Sequence, residues 1–267
     1  MIEIEKEVIK VFRYEDLVSR NFPLLSKEEQ ESLQRLRVGI AGCGMGSQVA
    51  LTLAHLGVGR FLLADGDVVE FHNLNRQAFS RGQVSKNKAE SLRLYLKGIN
   101  PQAEVRVWKK FISLGNAEAF ISAVDLFVDC IDVTPACLVV SLALSRACRD
   151  QGKFHLYPID LGWGARLYVF SPTGMEMEKF LGIGPEELEG IEGLPFELLM
   201  KAFSPAPSYL FSIFDKMEKG ELEYYPQIIS STLSAAILVV TAIVKLVREE
   251  TIKLAPEFYA IDSMEAA

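Results

Sequence analysis

Cysteine is scarce in this chain and badly spaced for metal binding. There are four, Cys43, Cys130, Cys137 and Cys148, with no C-x-x-C pair and none beyond residue 148. That excludes a structural zinc site built from thiolate pairs, so no zinc is expected. Free thiols within apolar stretches suit a reducing compartment, and a cytoplasmic location is expected. A basic excess is also missing: 28 Lys and Arg face 35 Asp and Glu, for a net charge of −7. A broad nucleic-acid-binding surface is therefore not expected, although local basic pockets are allowed. The opening MIEIEKEVIK alternates charge with apolar residues, so no secretory signal is expected. Charge is also missing from the 21 residues between Tyr224 and Val244, a length that could span a bilayer. Pro226 breaks its start and Ser230, Ser231, Thr232 and Ser234 weaken its first half. Only about ten residues are strongly apolar, too few for a span, so a buried interface helix and no membrane contact are expected.

What is present alternates between strand and helix up to residue 150. Ser26 and Glu29 form a capping box that opens a helix to about Leu36. Strand Val38–Ala41 runs into glycines and then a helix from Ser47 to Leu56, closed by Gly57. Strands at Phe61–Ala64, Glu104–Trp108 and Leu126–Cys130 alternate with helices near 86–97, 116–122 and 135–150. Thr134 and Pro135 read as the N-cap and first residue of the last of these. This order implies an α/β fold: a Rossmann-like, mostly parallel sheet with helices on both faces. Beyond residue 150, Phe154–Ile159 and Ala165–Phe170 flank a Gly-Trp-Gly turn and read as an antiparallel extension. The uncharged C-terminal apolar helix, 227–248, and a strand at Phe258–Ile261 follow. We expect an N-terminal helical arm over 1–36 and a nucleotide-binding domain over 37–267, with 172–222 an irregular insertion on the substrate side.

Three stretches carry chemistry. The first is "AGCGMGS". Gly42, Gly44 and Gly46 stand between a strand and a helix. Unsatisfied N–H groups and the helix dipole favour phosphate at such a place. Asp65 follows Gly44 by 21 residues at the end of the second strand, where an acid takes ribose hydroxyls. On these features alone an NAD-dependent dehydrogenase is the default. The second stretch, "DGDVVEFHNLNRQAFSRGQVSKNKAE", changes that. Asp65, Asp67, Asn73, Asn75, Arg76, Gln77 and Lys88 crowd into 24 residues. A dinucleotide needs one acid here, whereas ATP needs cations to clamp its phosphates and a carboxylate for Mg²⁺. The plain alternative is a solvated polar loop. The third stretch, "DLFVDCIDVTPAC", places Asp129 and Asp132 at the end of a predicted strand, the edge where ligands bind in open α/β sheets.

Together the glycine turn, "GVGRFLLADGDVVEFHNLNRQ", Lys88 ahead of "INP", and "VDCID" resemble the ThiF/MoeB/HesA superfamily, bacterial relatives of ubiquitin-activating enzymes. The resemblance covers about residues 18–170 and extends loosely to 227–248. It implies ATP-dependent adenylation of a carboxylate, usually the C-terminal glycine of a small ubiquitin-fold or sulfur-carrier protein. A peptide or small carboxylate is a further option. It also implies that Asp65 holds the ribose, that Asn73, Arg76 and Lys88 face the phosphates, that Gln77 supports their loop, and that Asp132 sits with Mg²⁺. "SRN" at 19–21 resembles the family's N-terminal arginine segment, which makes Arg20 a candidate to reach the ATP of a partner subunit in a homodimer.

The chain departs from that pattern in four ways. The glycine loop is one residue shorter than G-x-G-G-x-G. No cysteine stands in the later crossover region, which removes the usual thioester step. The C-x-x-C pairs are absent, and Cys137 replaces an arginine common after the Mg²⁺ aspartate. Cys130 and Cys137 read better as structural thiols than as nucleophiles. The expectation is therefore carboxylate activation without a thioester. A non-catalytic nucleotide-binding scaffold is the alternative. An NAD(P)-dependent oxidoreductase is a third reading, but it leaves Arg76, Gln77 and Lys88 unexplained.

Overall fold

The computed structural model describes residues 11–183 and 204–264. The first ten residues of the expected arm and residues 184–203 of the expected insertion lie outside the described residues. Five strands, β1 (Arg37–Ala41), β2 (Arg60–Ala64), β3 (Glu104–Trp108), β4 (Leu126–Asp129) and β5 (His155–Leu161), run parallel in the order β3-β2-β1-β4-β5. Two antiparallel strands, β6 (Gly164–Phe170) and β7 (Phe258–Asp262), extend this sheet beyond β5. The Gly-Trp-Gly turn thus closes a hairpin, as its glycines imply, since Gly162 sits at φ +57. The strand order reverses between β2-β1 and β4, which leaves a crevice at the carboxyl ends of β1 and β4.

Both faces of the sheet are covered. Helices α2 (Lys27–Arg35), α3 (Met45–Leu56) and α4 (Lys88–Ile99) supply Leu33, Val49, Leu53, Leu92 and Leu96 to a core that includes Val38, Ile40 and Leu63. On the opposite face α5 (Ala117–Ser122) and α6 (Pro135–Asp150) pack Phe120 and Leu144 against Leu62 and Phe127. Fully burying an aromatic such as Phe120 or Phe127 contributes roughly 2–3 kcal/mol. The capping box of α2 forms, with Ser26 N–H donating to Glu29 at 2.8 Å and Glu29 N–H donating to the Ser26 hydroxyl at 3.2 Å. Thr134 caps α6 by accepting from Cys137 N–H at 3.3 Å.

The described part of 172–222 is not irregular throughout. It holds α7 (Met177–Leu181) and α8 (Phe211–Glu218), whose Met177, Leu181 and Phe214 cover Tyr157 and Tyr168 in a third core cluster. Glycines and prolines hide this from a periodicity reading because each helix is short. The apolar helix α9 (Ile229–Val247) packs on α3, β5 and β6. Its buried face carries Ser231, Thr232, Ser234, Ala235 and Ala236 as well as Val239 and Ile243. Among the described residues it is the one helix long and apolar enough to cross a membrane, and half of that stretch is buried in the fold.

Candidate functional site

The site is built where β1 ends. Gly42 takes φ +82, and a Cβ there would overlap the Cys130 carbonyl at the end of β4. Only glycine turns the chain at this point. Gly44 is the N-cap of α3, and a Cβ on it would stand 3.1 Å from the Gln77 amide. Gly46 lies in the first turn, where a Cβ would meet Ile40 at 2.7 Å. The N–H of Gly42 donates to Ala64 and that of Cys43 to Asp65. The next three N–H groups, of Gly44, Met45 and Gly46, have no acceptor among the described residues. The shortened loop therefore still presents a helix start with open donors, the arrangement that attracts phosphate.

Asp65 is buried and holds two loops together. One oxygen accepts from Cys43 N–H at 2.7 Å and the other from Asp67 N–H at 2.8 Å. Burial raises its carboxyl above the ordinary value, while those two backbone donors and Lys88 pull the other way. The loop after β2 folds onto itself. Asn87 donates to the carbonyls of Asp65 and Asp67 at 2.9 and 3.1 Å and caps α4. Lys88 thus starts α4 as a buried ammonium, 3.1 Å from Asp67.

Asn73 lies in a 3-10 turn (Phe71–Asn75), with Arg76 at its C-cap and Gln77 next, and this segment docks on α3. Ser47 accepts from Ala78 N–H at 2.8 Å, and Gln48 and Thr232 both donate to the Arg76 carbonyl at 3.1 Å. Asn73 is buried, and its side-chain oxygen accepts from Glu70 N–H at 3.0 Å, so it shapes the turn from within. Gln77 is buried beneath Gly44, and its Oε1 has no partner among the described residues. The Arg76 guanidinium donates to the His72 carbonyl at 3.1 Å and to Asn75 at 2.9 Å. Burial lowers it from the usual arginine value, against the opposing pull of Asp160 and Asp132.

Those two carboxylates reach Arg76 from neighbouring strand ends. Asp132 is exposed in the loop after β4, and Asp160 is partly buried near the end of β5. Burial raises the Asp160 carboxyl and Asp132 adds to that, while a hydrogen bond from Gln227 at 2.9 Å opposes it. Gln227 also accepts, through its carbonyl, from Asn75 at 2.9 Å. Asp160 and Gln227 were not expected from the sequence. The strand-end rule that singles out Asp132 would have found Asp160 if applied to β5. Gln227 has no local signal, because only the docking of α9 brings it here.

Arg20 is not brought to this edge. It is exposed just after α1 (Tyr14–Val18). That arm docks at the far end of α3, through Tyr14 donating to Gly57 at 2.7 Å and Asn21 donating to Leu56 at 3.0 Å. The twelve residues of α3, about 18 Å of helix, separate it from the glycine turn of its own chain. Among the described residues no cluster of three metal-ligating side chains is formed. Cys43, Cys130 and Cys148 are buried, and burial pushes all three thiols up. None is set up as a thiolate.

The family model described as "ThiF family" matches residues 18–267. Adenylyltransferase and sulfurtransferase MOCS3 of Xenopus laevis is 29% identical over 73% of this chain and 47% of its own length. The tRNA threonylcarbamoyladenosine dehydratase of Bacillus subtilis is 36% identical over 43% of this chain and 46% of its own. This chain thus spans less than half the length of those relatives. The crystal structure of E. coli MccB with ATP superposes with a TM-score of 0.66 at 21% identity, covering 94% of this chain and 70% of that one.

Proposed function

The chain belongs to the ThiF family, and from that premise we propose that it is an adenylyltransferase, which joins a substrate carboxylate to AMP from ATP and releases pyrophosphate. One observation carries the reading: three N–H groups at the start of α3 are left open, between Asp65 with its neighbour Lys88 on one side and Gln77 beneath Gly44 on the other, while the adjoining Arg76 lies near Asp132 and Asp160. A dinucleotide site needs no such set of cations and acids. The substrate is the C-terminal carboxylate of a small ubiquitin-fold or sulfur-carrier protein, the class to which the modifiers of several ThiF relatives belong.

The chemistry needs positioning more than proton transfer. The nucleophile is a carboxylate and is already ionised, so no general base is required. Attack on the α-phosphorus breaks the bond to the β-phosphate oxygen, and negative charge grows on the departing pyrophosphate. Arg76 stabilises that charge with a planar fork of donors, and Lys88 adds a point charge at the first turn of α4. The open N–H groups orient the phosphates, and Asp65 takes the ribose hydroxyls. Asp132 is the carboxylate available to Mg²⁺, which when bound neutralises phosphate charge. Its exposure and strand-end position fit that role. The three buried thiols support a reaction that stops at the acyl-adenylate, without a thioester.

The active unit is a homodimer. Arg20 stands about 18 Å of helix away from its own chain's glycine turn, so it serves the site of a second copy. The exposed apolar stripe Ile229, Leu233 and Ile237 on α9 offers a contact face for that copy. The test is exchange of radiolabelled pyrophosphate into ATP, driven by candidate proteins ending in Gly-Gly. Exchange that depends on the carboxylate supports the reading. ATP binding with no exchange on any carboxylate leaves a scaffold, and NADH binding without ATP binding overturns both.

A further inference from the structure

Arg76 is tethered by one nitrogen. Its Nη1 donates to the His72 carbonyl at 3.1 Å and to Asn75 Oδ1 at 2.9 Å. Nε and Nη2 have no acceptor among the described residues. Those two nitrogens form one edge of the planar guanidinium, an edge that can grip a phosphate with two parallel hydrogen bonds. The tether therefore holds the group and leaves a binding edge open. Such holding matters, because chemistry in a bound complex is sensitive to misplacement by about 1 Å.

The tether has its own support. Asn75 is exposed, and its side-chain amide is fixed only if both of its ends are held. Here both are. Oδ1 takes the Arg76 hydrogen, and Nδ2 donates to the Gln227 carbonyl at 2.9 Å. Gln227 lies in the irregular segment just before α9. Its own side chain ties that segment to the sheet, since Nε2 donates to Asp160 Oδ2, near the carboxyl end of β5, at 2.9 Å. A continuous series of hydrogen bonds thus runs from Asp160 through Gln227 and Asn75 to the guanidinium. The backbone of Arg76 is held from α9 as well, by Thr232 donating to its carbonyl at 3.1 Å.

We propose that Gln227 is a positioning residue, which acts through Asn75 to hold the open edge of Arg76 towards the phosphates. The inference rests on the adenylation reading, in which Arg76 stabilises the departing pyrophosphate. Gln227 touches no reacting group. Its side chain fixes the carbonyl that fixes Asn75, and so sets how often Arg76 is correctly placed. Charge on the departing group grows during the reaction, so misplacement lowers the rate of the bound complex far more than the affinity for ATP.

Gln227→Leu removes the bond to Asp160 and keeps most of the side-chain bulk. At saturating ATP its pyrophosphate exchange should fall about tenfold or more, while ATP affinity by calorimetry changes less than about twofold. In the Arg76→Ala chain the same substitution should cost nothing further, as expected of residues that act as one unit. A second readout needs no turnover. In the nucleotide-free chain with isotope-labelled arginine, tethered Arg76 gives separate Nη1 and Nη2 signals in NMR, assigned by their loss in Arg76→Ala, and Gln227→Leu merges them. Asn75→Ala, at an exposed position, should reproduce both effects and serves if Gln227→Leu does not fold. Full exchange in the folded variant, an equal loss in the Arg76→Ala background, or Nη signals that stay separate overturns the inference and leaves adenylation standing. A parent chain that exchanges with no carboxylate overturns the adenylation reading, and this inference with it.

Discussion

Arg76 and Asp160 face each other with opposite consequences for stability and activity. Arg76 makes two local hydrogen bonds and no ion pair within 4 Å among the described residues, so its removal leaves the fold in place. Arg76→Ala should lower pyrophosphate exchange by about 10²-fold or more, the usual loss for one transition-state donor, with unchanged circular dichroism. Normal exchange in that variant would refute its phosphate role. Asp160 is a partly buried acid raised by burial. The folded chain keeps its proton at pH values where the unfolded chain has lost it. Asp160 therefore favours folding on the acid side, and that advantage is lost as pH rises from the ordinary carboxylate value through the raised one. Asp65 acts in the same sense. Asp160→Asn should raise the melting midpoint by about 2–4 °C at neutral pH, the shift that ~1 kcal/mol produces in a domain of this size. The gain should shrink towards about pH 4, while exchange falls. A midpoint difference that does not vary with pH in thermal melts would remove burial of the charge as its cause. Asp65, Arg76, Gln77 and Lys88 were legible in the sequence because their motif is contiguous. Asp160 and Gln227 were not, because each lies on an element that tertiary packing brings in.

At the scale of elements, the glycine turn and α9 make contrasting demands. Gly42 combines a positive φ with backbone packed where a Cβ would go, so no side-chain rearrangement relieves a substitution. Gly42→Ala should cost about 3 kcal/mol or more, seen as a large drop in urea midpoint. A midpoint within error of the parent chain would show that the turn is not the constraint described. The missing residue of the glycine loop shortens the turn but leaves the start of α3 open, which the sequence alone did not decide. In α9, the sequence pointed to a buried interface helix from its lack of charge. The structure divides it into a face packed on α3 and the sheet and an exposed stripe at Ile229, Leu233 and Ile237. Ile237→Glu on that stripe should convert a dimer to a monomer, weakening association by about 100-fold or more in sedimentation velocity. The monomer should keep its fold, because Ile237 is half exposed. An unchanged dimer places the contact elsewhere.

Across the whole molecule, the distance between Arg20 and its own glycine turn makes a prediction about two copies. Arg20→Ala and Arg76→Ala chains should each be inactive in exchange alone. Mixed in equal amounts and allowed to re-associate, half of the dimers are mixed, and each mixed dimer has one intact site. Activity should return to about a quarter of the parent value. No recovery would mean that Arg20 does not serve the partner's site. The same experiment separates the dimer from the chemistry, since Arg76→Ala alone tests only the latter.

The sequence by itself determined the alternating strands and helices, the parallel sheet, the glycine turn and the contiguous acid, amide and cation block. These are local patterns, read from periodicity, caps and turn residues, and they need no knowledge of distant partners. Tertiary structure alone decided that Asp132 and Asp160 meet at Arg76, that Gln227 joins them, that Arg20 lies at the far end of α3, and that His155 is buried beside Asp129. Each of those facts depends on strand order and on helix docking between residues far apart in the chain. No local pattern encodes such a distance, because it follows from how the covered sheet packs its two faces.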